Sequence, residues 1–149
     1  MAILGDALRE QLTERLAERL QDRVLLRLYT KPGSRRLVLP AGLGCETCEE
    51  TRALVEELQA CAPERIALDV IDVTAESSNG RDVPTLTVAA DGADARIAFQ
   101  GLPGGYEFGS LVDAVERVSR REHGLGERTL EMLQQLTQPV QVSIFTTPT

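Results

Sequence analysis

The sequence predicts an α/β fold, with helices packed on a mixed β-sheet, from three observations. Cys45 and Cys48 form a Cys-x-x-Cys pair where a helical apolar period begins. Further along, Val83, Pro84 and Thr85 lead into an apolar run. The elements follow the order strand, helix, strand, β-hairpin, helix, which gives two parallel and two antiparallel strands in one sheet.

The helices are predicted from apolar residues at helical spacing. The first repeats leucine every fourth residue from Leu4 to Leu20, with charged and amide side chains between. The helix that starts at Cys45 places Leu54, Leu58 and Cys61 on one face and stops before Pro63. The helical stretches are residues 5–21, 45–62, 107–121 and a fourth segment after Gly124.

The strands are predicted from short apolar runs bounded by turn residues. They are Val24–Thr30, Ile66–Val73, Leu86–Ala90, Arg96–Gln100 and Val140–Thr146. Asp91 and Gly92 form a hairpin signal between the third and fourth. Residues 35–40 are either an extra strand or part of a long loop over 31–44, and residues 75–82 are predicted as a loop. This order is the thioredoxin-like layout, in which we expect helices on both faces of the sheet.

Composition narrows the function classes. A chain of 149 residues fits one domain with a real core. Its net charge of −7 argues against a nucleic-acid partner, which would need a basic face. No apolar run approaches the roughly 18 residues of a membrane span, and the first residues do not have the pattern of a signal peptide. We therefore expect a cytoplasmic protein, where a Cys-x-x-Cys pair is a working dithiol rather than a structural staple.

The two cysteines of the motif are predicted to have different catalytic roles. Cys45 is the predicted nucleophile, because a helix N-terminus lowers the pKa of a thiol. Cys48, one turn further on, is predicted to resolve the mixed disulfide. Glu46, Glu49 and Glu50 oppose the thiolate, so we expect a weakly oxidising to reducing centre of about −200 to −270 mV.

Pro84 is the third predicted catalytic residue. It precedes an apolar strand and should face the dithiol. The resemblance to the thioredoxin-like layout implies a cis peptide after Val83, and proline is the residue for which a cis bond is cheap. Val83 and Thr85 are then predicted to bind the substrate backbone. The alternative is an ordinary proline at the start of a strand.

The remaining chemistry-bearing residues have plainer interpretations. Half of a zinc site is the alternative for the cysteine pair, but zinc would need two more ligands and only Cys61 and His123 remain. We therefore expect no metal and no cofactor. Cys61 is predicted to be an inert core thiol and His123 to lie in a solvated link. Glu49, Glu50, Glu56 and Glu57 are predicted to form an exposed helix face.

One segment carries a family resemblance. The stretch from Phe99 to Phe108, which reads Phe-Gln-Gly-Leu-Pro-Gly-Gly-Tyr-Glu-Phe, resembles the N-terminal unit of the glutaredoxin-like protein disulfide oxidoreductases. The N-terminal domain of the alkyl hydroperoxide reductase flavoprotein has a similar segment, but its first unit usually lacks a working cysteine pair, so Cys45 and Cys48 favour the former. The resemblance implies disulfide exchange with protein substrates and electron relay from a flavoprotein reductase.

Proteins of both families carry two thioredoxin-like units. Residues 1–123 are predicted as one full unit, and residues 124–149 resemble the first helix and strand of a second. The apolar strand Val140–Thr146 would then need cover, either on its own unit or in a homodimer that pairs two such tails. An alternative function follows, in which this unit is a non-catalytic docking or structural module of a two-unit redox protein.

Overall fold

A computed structural model of the chain describes residues 3–31, 45, 47–73 and 82–147. Its helices are α1 Asp6–Arg19, α2 Cys48–Cys61, α3 Tyr106–Arg120 and α4 Glu127–Gln134. Its strands are β1 Val24–Thr30, β2 Ile66–Asp72, β3 Thr85–Ala90 and β4 Ile97–Gln100. The predicted loops and the short run within 31–44 and 75–82 fall almost entirely outside the described residues.

The four strands form one mixed sheet in the order β2-β1-β3-β4. β1 runs parallel to β2 and antiparallel to β3, and β4 is antiparallel to β3, as predicted. The register pairs Thr30 with Asp72 and Thr85 with Gln100. The ends of β1, β2 and β4 and the start of β3 therefore lie along one edge of the sheet, where the dithiol is also found.

The core lies on one face of that sheet. Alternate residues of β1, namely Val24, Leu26 and Leu28, are buried in the same apolar cluster as residues of α1, α2 and α3. The other alternation of β1, including Leu25, is only partly buried and does not belong to this cluster. The expectation that helices cover both faces is therefore wrong for the described part of the chain. The order of elements predicts strand pairing, but it does not fix the side on which each helix packs.

Polar contacts hold α1 against α3 and the start of β1. The Arg15 guanidinium is 2.5 Å from the buried carboxylate of Glu116 in α3. Ser119 of α3 is buried, and its hydroxyl contacts the two residues that follow α1. It donates to the Asp22 carbonyl at 2.6 Å and accepts from the Gln21 N–H at 2.9 Å. These bonds satisfy backbone groups where the chain turns from α1 into β1.

The C-terminal segment departs from its prediction. The helix forms as α4, but the strand predicted over Val140–Thr146 does not. Its apolar side chains project into solvent, and Phe145 is 94% exposed. Among the described residues, the segment contacts the start of α3 through Thr146, whose hydroxyl donates a hydrogen bond to the Glu107 carboxylate. A strand needs a hydrogen-bonded neighbour, and the described residues of this chain provide none, although the apolar alternation remains.

Candidate active site

The two cysteines of the motif are joined by a disulfide, with their Cα atoms 5.4 Å apart. α2 begins at Cys48, so Cys45 lies three residues ahead of the helix rather than inside its first turn as predicted. The difference arises because the spacing of apolar residues marks the buried face of a helix and not its first residue. Cys48 is 2% exposed, whereas Cys45 is partly exposed. Of the two sulfur-bearing residues, Cys45 is the one that an incoming partner can approach.

The Val83–Pro84 peptide lies against Cys45. This peptide is cis, as predicted. The Val83 carbonyl oxygen is 3.7 Å from the Cys45 sulfur, a van der Waals contact here because a disulfide sulfur carries no hydrogen. Pro84 is buried, and its carbonyl accepts the Gly101 N–H at 2.9 Å. The structure thus brings together the motif cysteine, the proline turn and the start of the Gly-Leu-Pro-Gly-Gly segment.

Thr85, the other predicted substrate-binding residue, is buried at the first position of β3. Its hydroxyl donates to the Asp82 carbonyl at 2.5 Å and so closes the turn that carries Pro84. The side chain is therefore used inside the protein. A role for Thr85 toward substrate stays a prediction.

Exposed carboxylates lie close in sequence to the cysteine pair and to the proline turn. Glu49 and Glu50 occupy the first turn of α2, and Asp82 precedes the proline turn. Arg52, one turn after Cys48, is engaged by Asp72 at the end of β2, at 2.8 Å. Negative side chains favour the positive end of the helix dipole but oppose a thiolate at the same place. Glu46, the third carboxylate of the prediction, lies outside the described residues.

The other candidate residues are remote from this site. Cys61 is 6% exposed at the last position of α2, with its sulfur 3.3 Å from the Glu57 carbonyl. At a rise of about 1.5 Å per residue it lies roughly 20 Å from Cys48, as predicted for an inert thiol. His123 is exposed, and its Nδ1 accepts the Leu125 N–H at 3.0 Å within a turn. Among the described residues no three His, Cys, Asp or Glu side chains converge as a metal site would require.

Sequence reasoning misplaced Glu57 and overlooked Thr51. Glu57 is not part of an exposed face: its carboxylate accepts hydrogen bonds from the Ile3 and Leu4 backbone and from Arg9. The signal was its spacing of three from Leu54 and four from Cys61, which puts it on the buried side of α2. Thr51 lies three residues after Cys48 and is fully buried.

Comparison with solved structures then identifies the architecture. The structure matches a protein disulfide oxidoreductase from Aeropyrum pernix k1 with a TM-score of 0.70 and 28% identity, over 89% of this chain and 55% of that one. The fold is thioredoxin-like. The alkylhydroperoxide reductase AhpF of Enterococcus faecalis matches at a TM-score of 0.68 and 22% identity, over 89% of this chain and 61% of that one. The isolated N-terminal domain of the same reductase gives a TM-score of 0.66 and 21% identity, over 86% of this chain and 58% of that one.

The thioredoxin-like chain therefore spans little more than half the length of each of these structures. No protein-family model and no curated protein matches the sequence. The neighbours and the Cys45–Cys48 pair together support thiol–disulfide redox chemistry in general. In the described part of the chain, no helix has both the length and the apolar character that a membrane crossing needs.

Proposed function

We propose that this protein is a thiol–disulfide oxidoreductase that exchanges disulfides with protein substrates through Cys45 and Cys48. The observation that carries the proposal is the difference between the two cysteines. Cys45 is partly exposed beside the Val83 carbonyl, and Cys48 is buried at the start of α2 and already bonded to it. This asymmetry suits one sulfur for attack and the other for release.

In the reducing direction the Cys45 thiolate attacks one sulfur of a substrate disulfide. The substrate S–S bond breaks, a mixed disulfide forms on Cys45, and the departing thiolate takes a proton from water. Cys48 then loses its proton to solvent and attacks the Cys45 sulfur, which expels the second substrate thiolate. The substrate gains two electrons and two protons, and the Cys45–Cys48 dithiol becomes the disulfide. A protein dithiol or a flavoprotein reductase would return the pair to its reduced form.

The proline turn would hold the substrate during these steps. Pro84 is buried with its carbonyl already bonded, so it contributes the shape of the turn. The Val83 carbonyl oxygen lies 3.7 Å from the Cys45 sulfur, and the Val83 backbone would pair with an extended substrate segment. The proposed chemistry uses no metal and no bound cofactor, and we assign it to the cytoplasm, where a dithiol stays reducible.

The second candidate is a non-catalytic docking or structural module of a two-unit redox protein. The exposed C-terminal segment favours it, since Val142, Ile144 and Phe145 have no cover in the described chain. We propose that residues 124–149 form the beginning of a second thioredoxin-like unit. In this case the disulfide of the first unit would be retained without turning over.

Reduction of insulin by dithiothreitol separates the two candidates. We expect Cys45→Ser to abolish the catalysed precipitation of insulin chains and Cys48→Ser to accumulate a mixed disulfide on Cys45. Cys61→Ser is the matched control, because it removes a buried thiol remote from the pair and should leave the rate unchanged. Wild-type protein that accelerates the reaction no more than Cys45→Ser would favour the docking module.

A further inference from the structure

The peptide that joins Thr47 to Cys48 is held by two hydrogen bonds from one residue. The Thr47 carbonyl accepts the Thr51 backbone N–H at 2.9 Å and the Thr51 hydroxyl at 2.7 Å. The Thr51 side chain is fully buried, so its hydroxyl is not shared with solvent. A residue one turn into α2 thereby fixes the peptide that leads into the second cysteine.

Fixing that carbonyl also fixes the amide on the other side of the peptide bond. The peptide is planar, and its C=O and N–H point in opposite directions. With the carbonyl aimed into the helix, the Cys48 N–H is aimed out of the helix N-terminus, toward the side of the chain that carries Cys45. Cys48 is the first residue of α2, and no residue in the described part of the chain accepts its N–H. Within the described residues, this N–H is therefore a spare donor in the oxidised form.

The hydroxyl has an electronic effect as well. A hydrogen bond to a peptide carbonyl polarises the whole peptide and strengthens its N–H as a donor. When the disulfide is reduced, the acceptor that appears beside the Cys48 N–H is the Cys45 thiolate. A stronger, better aimed donor stabilises that thiolate and lowers the pKa of Cys45.

We propose that Thr51 is a positioning residue for the redox reaction, acting on the Cys45 thiolate through the Thr47–Cys48 peptide. The inference rests on the proposed function, in which Cys45 is the nucleophile. Thr51 acts through the peptide and not on either sulfur directly, so it is not a catalytic residue. Its hydroxyl makes the reduced form more stable than the helix terminus alone would.

Other charged side chains around the dithiol also affect the stability of the Cys45 thiolate. The described ones on the elements around the dithiol are Lys31, Glu49, Glu50, Arg52 with its partner Asp72, and Asp82. None of them contacts the Thr51 hydroxyl, whose one hydrogen-bond partner in the described chain is the Thr47 carbonyl. The effect of these charges on the Cys45 thiolate should therefore stay the same when the Thr51 hydroxyl alone is removed.

The test compares Thr51→Val, which keeps the shape and loses the hydroxyl, with Thr51→Ser, which keeps the hydroxyl. Thr51→Ala is a second variant without the hydroxyl that suits a helix better, should valine disturb folding. Thr13→Val is the matched control, because Thr13 makes the same hydroxyl bond to the carbonyl four residues earlier, at 2.9 Å, but on α1. The readout is the rate of alkylation of reduced full-length protein by iodoacetamide between about pH 4 and about pH 9, with the labelled cysteine identified by peptide mapping.

We expect Thr51→Val and Thr51→Ala to raise the pKa of Cys45 by about 0.2–0.6, which lowers the thiolate fraction at acidic pH roughly 1.5- to 4-fold. At a pH above the pKa of Cys45, the equilibrium with glutathione should shift toward the protein disulfide by the same factor. Thr51→Ser and Thr13→Val should titrate like wild type. An unshifted pKa in both hydroxyl-free variants, or an equal shift in Thr51→Ser or Thr13→Val, would overturn the inference and leave the proposed function intact. Labelling of Cys48 before Cys45 would overturn both.

Discussion

Replacement of Glu57 by glutamine should destabilise the protein at neutral pH. The Glu57 carboxylate accepts hydrogen bonds from the N–H groups of Ile3 and Leu4, at 2.6 and 3.0 Å, and from the Arg9 guanidinium at 2.9 Å. The Glu57 side chain is only 16% exposed. It thus ties the start of the chain and α1 to the helix that carries Cys48.

The size of the effect follows from which of these bonds glutamine can keep. Its single carbonyl oxygen still accepts one backbone N–H, and its NH₂ group cannot accept the other. One hydrogen bond to a charged acceptor is lost, about 1.5–3 kcal/mol. The ion pair adds little, because the Arg9 side chain is 40% exposed and screened by water. We expect a loss of about 1.5–3 kcal/mol in the free energy of unfolding, which lowers the melting temperature by about 3–12 °C.

The effect should disappear in acid. Burial of Glu57 opposes its ionisation, but the hydrogen bonds from Ile3 and Leu4 and the Arg9 charge outweigh it, so the pKa of Glu57 is lowered. A carboxyl with a lowered pKa in the folded state contributes stability that is present above its unfolded pKa, about 4.3. That contribution is lost as the pH falls through the folded pKa. Glutamine does not titrate, so the stability gap between wild type and Glu57→Gln should close on acidification.

Urea unfolding followed by far-ultraviolet circular dichroism, at about pH 7 and at about pH 3, measures both quantities. The matched control is Glu56→Gln, an adjacent, exposed carboxylate without an ion pair in the described chain, which should change stability by less than about 0.5 kcal/mol. Equal stability of wild type and Glu57→Gln at neutral pH would refute the reasoning. So would a stability gap that persists unchanged in acid.

Two further predictions concern the dithiol and the C-terminal segment. Equilibration with glutathione should give a potential of about −200 to −270 mV, because Glu49 and Glu50 oppose the Cys45 thiolate, and a value near about −120 mV would show that they do not dominate. Full-length protein should be a dimer by size-exclusion chromatography with light scattering, and deletion of residues 125–149 should make it monomeric, because the exposed apolar segment would otherwise stay in water. A full-length monomer at high micromolar concentration would argue that the segment packs on its own unit.

Local signals in the sequence were enough for the elements that they mark directly. β1 was predicted at its observed bounds, because a short apolar run ends at turn residues. The proline turn was predicted from Val83 and Pro84, whose cis peptide and contact with Cys45 are observed. In each case residues close in sequence determine the local conformation. The Cys-x-x-Cys motif then predicts that the proline turn faces the cysteines.

Three of the wrong predictions depend on long-range packing. No local signal showed that α1, α2 and α3 share one face of the sheet. An amphipathic pattern shows that one side of a helix is buried, but it does not identify the element that packs against that side. The alternation from Val140 to Thr146 predicts a strand only where a neighbour pairs with it, and the described chain has none there. Glu57 looked solvated because its partners, Ile3, Leu4 and Arg9, lie some fifty residues away in sequence.

The unequal burial of the two cysteines has a kinetic consequence. With Cys48 buried behind Cys45, every partner in the proposed chemistry must enter and leave through the same sulfur. An electron donor and an electron acceptor then cannot be bound at that sulfur together, so turnover alternates between two half-reactions in a ping-pong sequence. Each partner becomes a competitive inhibitor of the other when in excess. The direction of electron flow is therefore decided by the relative concentrations and potentials of the partners, with no directionality contributed by separate binding sites.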